Sequence, residues 1–424
     1  MRTARLPAAR QRRHFQLMTR RVKSPKVEKQ GPLGTTDSAV HQGRRLEGVD
    51  LLRGIAILLV LLNHVNMRLV LAHIPYGNAL PPLILSRLIW NGQRGVQMFF
   101  AISGFLITSI SLNRWGNLSH VHIREFYRLR VARIAPLLLL VLLVLSVLDL
   151  AHVTNYVIPS TTGGLRAALI AALTFRLNVL EARHGYLPGS WDVLWSLSVE
   201  ETFYCFFPLI CWAFGARKRL FVAVMLVFVA FGPLARAVLT SGDPIWHEYS
   251  YLAGMDAIAL GCLTALALPH LRLRRHQIWL TGLLGTALLS ATLGLRLRVL
   301  AHTGLDMSIV AIGTCLIIMA NHLGTWRSPA ALRPLVSLGQ RSYETYLTHM
   351  FVVFTFFGIF LRLGKPAYAV PLLFIAVIIV AGFLGTLTAR LYSEPLNALL
   401  RIQWSVDHRS NDGPPPVVER IVNG

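Results

Sequence analysis

Apolar residues in this chain come in long blocks, and the polar residues gather in the short stretches between them. Blocks of this length suit α-helices that cross a bilayer, whereas a membrane barrel would show strands of about ten residues with alternating hydrophobicity. The pattern predicts spans at roughly 51–72, 95–112, 132–151, 193–214, 219–239, 251–268, 277–295, 306–323, 342–363 and 369–392. An eleventh apolar segment, 164–175, is short and bracketed by Arg166 and Arg176. The expected fold class is therefore an all-α integral membrane protein, a bundle of about ten transmembrane helices with one short re-entrant or interfacial segment.

Charge decides the status of the short segment. If it does not cross, the basic stretches 113–130, 215–219, 270–276 and 324–341, which carry Arg114, Arg217, Arg272 and Arg327 among others, all share one side. Counting it as a span would put Arg217–Arg219 and Arg272–Arg275 on the outer side, against the positive-inside rule. The expected location is a bacterial inner (plasma) membrane, multi-pass, with both termini cytoplasmic. Residues 1–45 hold twelve Lys or Arg and only Glu28 and Asp37 as acids, a composition that reads as a disordered basic cytoplasmic tail with no cleavable signal before the first span. Residues 46–400 are the transmembrane domain, and 401–424, with SNDGPPP, read as a short cytoplasmic tail.

Composition agrees with this layout: 54% of residues are apolar, 14% are charged, and the mean hydropathy is +0.54. The formal charge of +23 does not point to nucleic acid, because the cations fall between the apolar runs. Cys205, Cys211, Cys262 and Cys315 lie inside apolar runs without CxxC or CxH spacing, which predicts buried thiols and no metal site.

Candidate chemistry begins with DLLRGIAILLVLLNH, residues 50–64, where Arg53 and His64 interrupt the first span. Ionisable groups at bilayer depth are rare and suggest a functional site. Eleven steps at ~100° return to within roughly 20°, so both side chains share a helix face about 16 Å apart along the axis. His64 is the candidate base, since an imidazole with a pKa near ~6.5 can take and return a proton at neutral pH. Asp50 is spaced to pair with Arg53.

Further along, Ser103 and Gly104 interrupt an aromatic run in the second span, where small residues suit close helix packing and Ser103 suits a polar role. Arg128, Arg130 and Arg133 stand at the start of the third span, either as topology signals or as forked donors for phosphate. Glu200 and Glu201 sit inside the fourth span, where helical geometry turns at most one of them toward the face of Trp195, Ser198 and Thr202. Trp191, Trp195 and Tyr204 suit an interfacial aromatic belt. Later polar insertions are Asp256, then Tyr343 and Tyr346 leading to His349, then Tyr392 and Glu394.

Taken in order, these segments resemble the acyltransferase 3 family of integral membrane acyltransferases, which O-acylate saccharides and some antibiotics. Arg53 and His64 in LRGIAILLVLLNH match its arginine, ten residues, histidine signature. GVQMFFAISGFLIT, FYRLRVARIAP, WSLSVEETFY, SYETYLTH and LYSEP resemble its further motifs, over about residues 46–400. Two features depart from the family pattern. AGMD lacks the arginine that often precedes the sixth-span aspartate, which leaves Asp256 without an evident partner. The chain also ends after the last span, where many members append a hydrolase-like domain, so transfer is expected to be completed within the membrane domain or by another protein.

The resemblance implies an O-acetyltransferase that takes acyl-CoA, in the first instance acetyl-CoA, from the cytosol as co-substrate and acylates a hydroxyl of a saccharide or glycoside. His64 is then the catalytic base or the site of an acyl-histidine, Arg53 positions the donor or stabilises developing negative charge, and Glu200 or Glu201 orients His64 or the acceptor hydroxyl. Arg130 and Arg133, with Arg128 nearby, hold the donor phosphates. Trp195, Ser103, Tyr343 and His349 are candidate substrate contacts. Membrane lipid surrounds the protein, and polysaccharide-assembly proteins are expected partners. The rival reading is a proton-coupled secondary transporter, but neither inverted repeats nor matched broken helices are visible.

Overall fold

In a computed structural model of the protein, residues 35–81, 88–240, 242–294, 303–324 and 328–411 are described. The basic stretch before residue 35, Arg327 and the proline-rich stretch from residue 412 lie outside the described residues. The described residues contain helices and no strand. Among the described residues, ten helical segments are long and apolar enough to cross a membrane: Glu47–Leu71 (α1), Gly92–Trp115 (α2), Ile123–Leu150 (α3), Gly189–Phe214 (α4), Lys218–Leu239 (α5), Pro244–His270 (α6), Arg275–Gly294 (α7), Leu305–Leu323 (α8), Ser342–Arg362 (α9) and Ala367–Ile402 (α10). The helix that contains α1 begins at Thr35, inside the segment expected to be tail. The described residues from 44 onward form one compact unit.

Two boundaries differ from the hydropathy pattern for a simple reason. Arg and Leu are good helix formers, so α3 starts at Ile123 and carries Arg128, Arg130 and Arg133 on the helix itself rather than in a loop before it. The last helix likewise continues through Arg401 to Asn411. The segment 164–175 contains a ten-residue helix, Gly164–Leu173. At 1.5 Å per residue this reaches about 15 Å, half the hydrocarbon thickness. The next helix, Leu177–His184, packs against Pro244–Tyr249 at the start of α6, so the chain stays at that end until α4 carries it back.

Small residues set the central packing. At the crossing of α2 and α6, a Cβ on Gly104 would overlap the Ile258 carbonyl oxygen, and one on Gly261 the Ala101 carbonyl oxygen. Backbones that close leave no room for a side chain and gain dense van der Waals contact. The turn carrying Asp50 and Arg53 is seated in the same way, with Gly339 of the short helix Arg333–Gln340 against the Asp50 carbonyl. Around this centre, α5 packs on α6, α7 on α8, and α9 on α10.

Asp256 is fully buried, and its partner is Arg236 on α5. Arg236 holds it bidentately, Nη2 to Oδ2 at 2.7 Å and Nη1 to Oδ1 at 3.1 Å, while Ser308 and Gln97 donate at 2.5 and 3.0 Å. AGMD lacks the arginine because the guanidinium arrives from another helix, at a π-helical turn, Ala235–Leu239, that follows Pro233. The cysteines correct a second expectation. All four are free and Cys211, Cys262 and Cys315 are buried, but Cys205 is exposed. The aromatic belt is not formed by the predicted residues either, since Trp191, Trp195 and Tyr204 are buried inside the bundle.

Candidate active site

Between α1, α2, α3, α4, α9 and the end of α10 lies a cavity of about 500 Å³. Phe99, Phe100, Leu106 and Leu347 supply apolar wall, and the polar wall includes Asp50, Arg53, Ser103, Arg130, Arg133, Glu200, Glu201, Tyr343 and Arg401. Arg53 Nη1 stands 3.6 Å from Asp50 Oδ1, the pair that their spacing predicts.

Both glutamates face this cavity, where helical geometry allowed for one. Consecutive residues point about 100° apart, but Arg130 reaches between them and draws both in. Its Nη2 lies 3.4 Å from Glu200 Oε1 and 3.7 Å from Glu201 Oε1, and the guanidinium covers the Tyr204 ring at 3.4 Å. Glu200 Oε1 also accepts from Ser103 Oγ at 2.6 Å and from Tyr204 Oη at 2.5 Å. The polar role expected for Ser103 is thus a bond to Glu200. Arg130 thus already has carboxylate partners within the protein. Arg133 has a different setting, lying over the Tyr343 ring at 5.9 Å, while Tyr343 donates to the Ile134 carbonyl at 2.9 Å. Arg128 is not part of the cavity wall.

His64 and His349 stand beside one another outside the cavity lining, with ring centroids 4.9 Å apart. His64 Nδ1 is 3.0 Å from the Val60 carbonyl, and His349 Nδ1 is 2.6 Å from the Tyr346 carbonyl. A carbonyl oxygen only accepts, so each Nδ1 carries a hydrogen. In neutral His349 the Nε2 lone pair is then free to accept, and it lies 3.3 Å from His64 Nδ1, whose single hydrogen is shared between it and the Val60 carbonyl. These contacts assign one tautomer to His64, with the proton on Nδ1 and a lone pair on Nε2. His349 is fully buried and His64 partly exposed. Tyr346 lines the cavity with its ring 5.7 Å from that of His349; its hydroxyl is bonded to Ser196 Oγ at 2.7 Å and the Val193 carbonyl at 2.9 Å, and its ring meets the edge of Phe99.

Trp195 stacks on Tyr249 with centroids 4.1 Å apart and meets Phe100 edge-on. It is not a cavity residue, so the face expected for a sugar is occupied by Tyr249. Tyr249 in turn donates to Asp192 at 3.0 Å, and Asp192 lies within electrostatic reach of Glu181, a buried carboxyl whose Oε1 accepts from the Leu187 backbone at 3.1 Å. Glu181 lies outside the membrane-length helices. Burial, and next the Asp192 carboxylate, raise its pKa well above 4.5. Residue patterns did not single out Arg236, Arg401 or the Glu181–Asp192 pair. For Arg236 the signal was present, an arginine at the end of an apolar run. No described group of three or more His, Cys, Asp or Glu side chains is placed to hold a metal.

Residues 46–390 match the family model described as an acyltransferase domain. O-acetyltransferase OatA of Staphylococcus aureus (strain NCTC 8325 / PS 47) is 21% identical over 374 residues, 84% of this chain and 58% of OatA. YrhL of Bacillus subtilis (strain 168), provisionally named a peptidoglycan O-acetyltransferase, is 27% identical over 340 residues, 73% of this chain and 49% of YrhL. A provisionally named O-acetyltransferase of Staphylococcus aureus (strain COL) is 24% identical over 73% of this chain and 51% of its own length. The chain spans about half the length of these curated relatives. No solved structure matches it at a significant level. Because the family match runs from the turn that carries Arg53 through the helix that carries His349, the chain belongs to the acyltransferase 3 family of membrane acyltransferases.

Proposed function

We propose that this protein transfers an acyl group, acetyl in the first instance, from acetyl-CoA to a hydroxyl of a saccharide acceptor, with His64 as the base. The observation that carries the reading is the His64–His349 pair, which leaves a lone pair on His64 Nε2 just behind a cavity lined by arginines and apolar residues. The names of OatA and YrhL favour an acetyl donor and a cell-wall saccharide such as peptidoglycan.

In this reading the donor enters the cavity from the cytosolic side, with its phosphates near the cavity's cationic wall and the thioester toward Tyr346. The positive-inside distribution favours that orientation, because the basic stretches gather at the Arg53 end. The acceptor approaches His64 from the other end. His64 Nε2 takes the proton of the acceptor hydroxyl as the oxygen attacks the thioester carbonyl carbon. The C–S bond breaks, the sulfur leaves with the bonding pair, and the proton on His64 passes to it to give the free thiol. A base poised in this way contributes roughly 10²–10⁴-fold. Arg53 steadies negative charge on the donor side. The hydrogen bond to His349 stabilises the imidazolium that forms on His64. For donor and base to meet, the Tyr346–Phe99 wall must part during turnover.

The test uses purified protein with radiolabelled acetyl-CoA and a peptidoglycan glycan fragment. Wild type is expected to label the glycan, and His64→Ala to lose at least a hundredfold in rate while still binding coenzyme A. Turnover by the His64→Ala protein at the wild-type rate would exclude the assignment.

A further inference from the structure

The cavity holds four guanidiniums, and they are not equivalent. Arg130 is matched by two carboxylates, and Arg53 by Asp50. Arg133 makes a ring contact with Tyr343, and among the described residues no carboxylate pairs with it or with Arg401. Arg401 comes from the last helix, in a stretch that the residue pattern assigns to a tail, yet it lines the same cavity as Arg133 and lies within electrostatic reach of it. Both side chains are exposed. Two like charges that line one cavity without a carboxylate partner favour a bound polyanion. Forked donors on two guanidiniums match the oxygens of a phosphate.

We propose that Arg401 and Arg133 together form the phosphate-binding pair for the donor nucleotide, and that Arg130 positions Glu200 and Glu201 instead. The inference rests on the proposed acyl-CoA reading and adds a residue and a division of labour to it. It makes the final helix part of the donor site. A guanidinium committed to two carboxylates has little charge left for an incoming anion, whereas the unpaired ones lose nothing by turning to it.

The experiment is calorimetric titration of the purified full chain with coenzyme A and, separately, with pantetheine, which lacks the phosphates. Arg401→Gln is expected to weaken coenzyme A binding roughly tenfold or more, as loss of a charge-assisted bond does, and to leave pantetheine binding within twofold. In turnover the same variant should raise KM for acetyl-CoA at unchanged kcat. Arg401→Lys, which keeps the charge and loses the fork, should fall between wild type and Arg401→Gln, and it reads the same contrast if the glutamine variant does not fold. Unchanged affinity for coenzyme A, or an equal loss for both ligands, would overturn the inference. A wild-type protein that binds neither ligand would instead overturn the acyl-CoA reading itself.

Discussion

His349 Nε2 lies 3.3 Å from His64 Nδ1, across 285 residues of sequence, and this contact makes the two imidazoles one hydrogen-bonded unit. Each ring's Nδ1 is held by a backbone carbonyl, so the unit has a direction: proton on His64 Nδ1, lone pair on His64 Nε2. His349 therefore acts as a positioning residue for the proposed base. Removing it should cost rate without removing the base. His349→Ala is expected to lower kcat by roughly 10- to 100-fold with little change in KM, a smaller loss than that of the general base itself. His349→Gln, whose amide oxygen can accept the same proton, should recover part of that loss. Steady-state kinetics on the acetyl transfer would read both, and wild-type kcat in His349→Ala would remove His349 from the mechanism.

Tyr346, which lines the cavity beside His349, makes a separate prediction. Tyr346 is anchored through its hydroxyl to Ser196 and to the Val193 carbonyl. Tyr346→Phe removes both anchors and should lower stability by about 1–3 kcal/mol, the net worth of two hydrogen bonds. If the ring only has to move aside, kcat stays at or above the wild-type value. A tenfold fall would show that the hydroxyl itself takes part in the chemistry.

The buried Arg236–Asp256 pair is expected to be structural. Arg236→Met strips an interior carboxylate of its bidentate partner and should destabilise the protein by about 3–5 kcal/mol. Replacing both members, Arg236→Met with Asp256→Leu, should cost less than the single change, because no lone charge remains inside. Unfolding in detergent, followed by circular dichroism, compares the two; equal or greater loss in the double variant would refute this account.

Glu181 gives the stability a pH dependence of known sign. Its carboxyl titrates above 4.5 in the folded protein, so the folded state holds the proton more tightly than the unfolded chain does. The stability this group contributes is complete below the unfolded value and is lost as pH rises through the folded value. The melting temperature of wild type should therefore fall from about pH 5 upward, and Glu181→Gln, neutral throughout, should show a flatter profile over the same range. Parallel profiles would show that Glu181 does not carry the effect.

Much of this molecule is written in local pattern. An apolar run of sufficient length must become a helix in a bilayer, since no other element satisfies its own backbone there. The ten predicted spans accordingly correspond to ten helices, and the short run at 164–175 to a helix too short to cross. The Asp50–Arg53 pair also follows from spacing alone, because both residues lie on one turn.

Contacts between helices do not follow from spacing, and they decide the site. Which helix faces which depends on small residues such as Gly104 and Gly261 meeting a carbonyl on a neighbour, a fit that no single segment contains. Only that packing selects His349 over the two glutamates as the partner of His64 and brings Arg236 to Asp256. It also turns Glu200 and Glu201 toward Arg130, stacks Trp195 on Tyr249, and returns Arg401 to the cavity wall. Periodicity records the direction a side chain takes from its own axis. The group it meets is set by how the axes pack, and that is a property of the folded bundle.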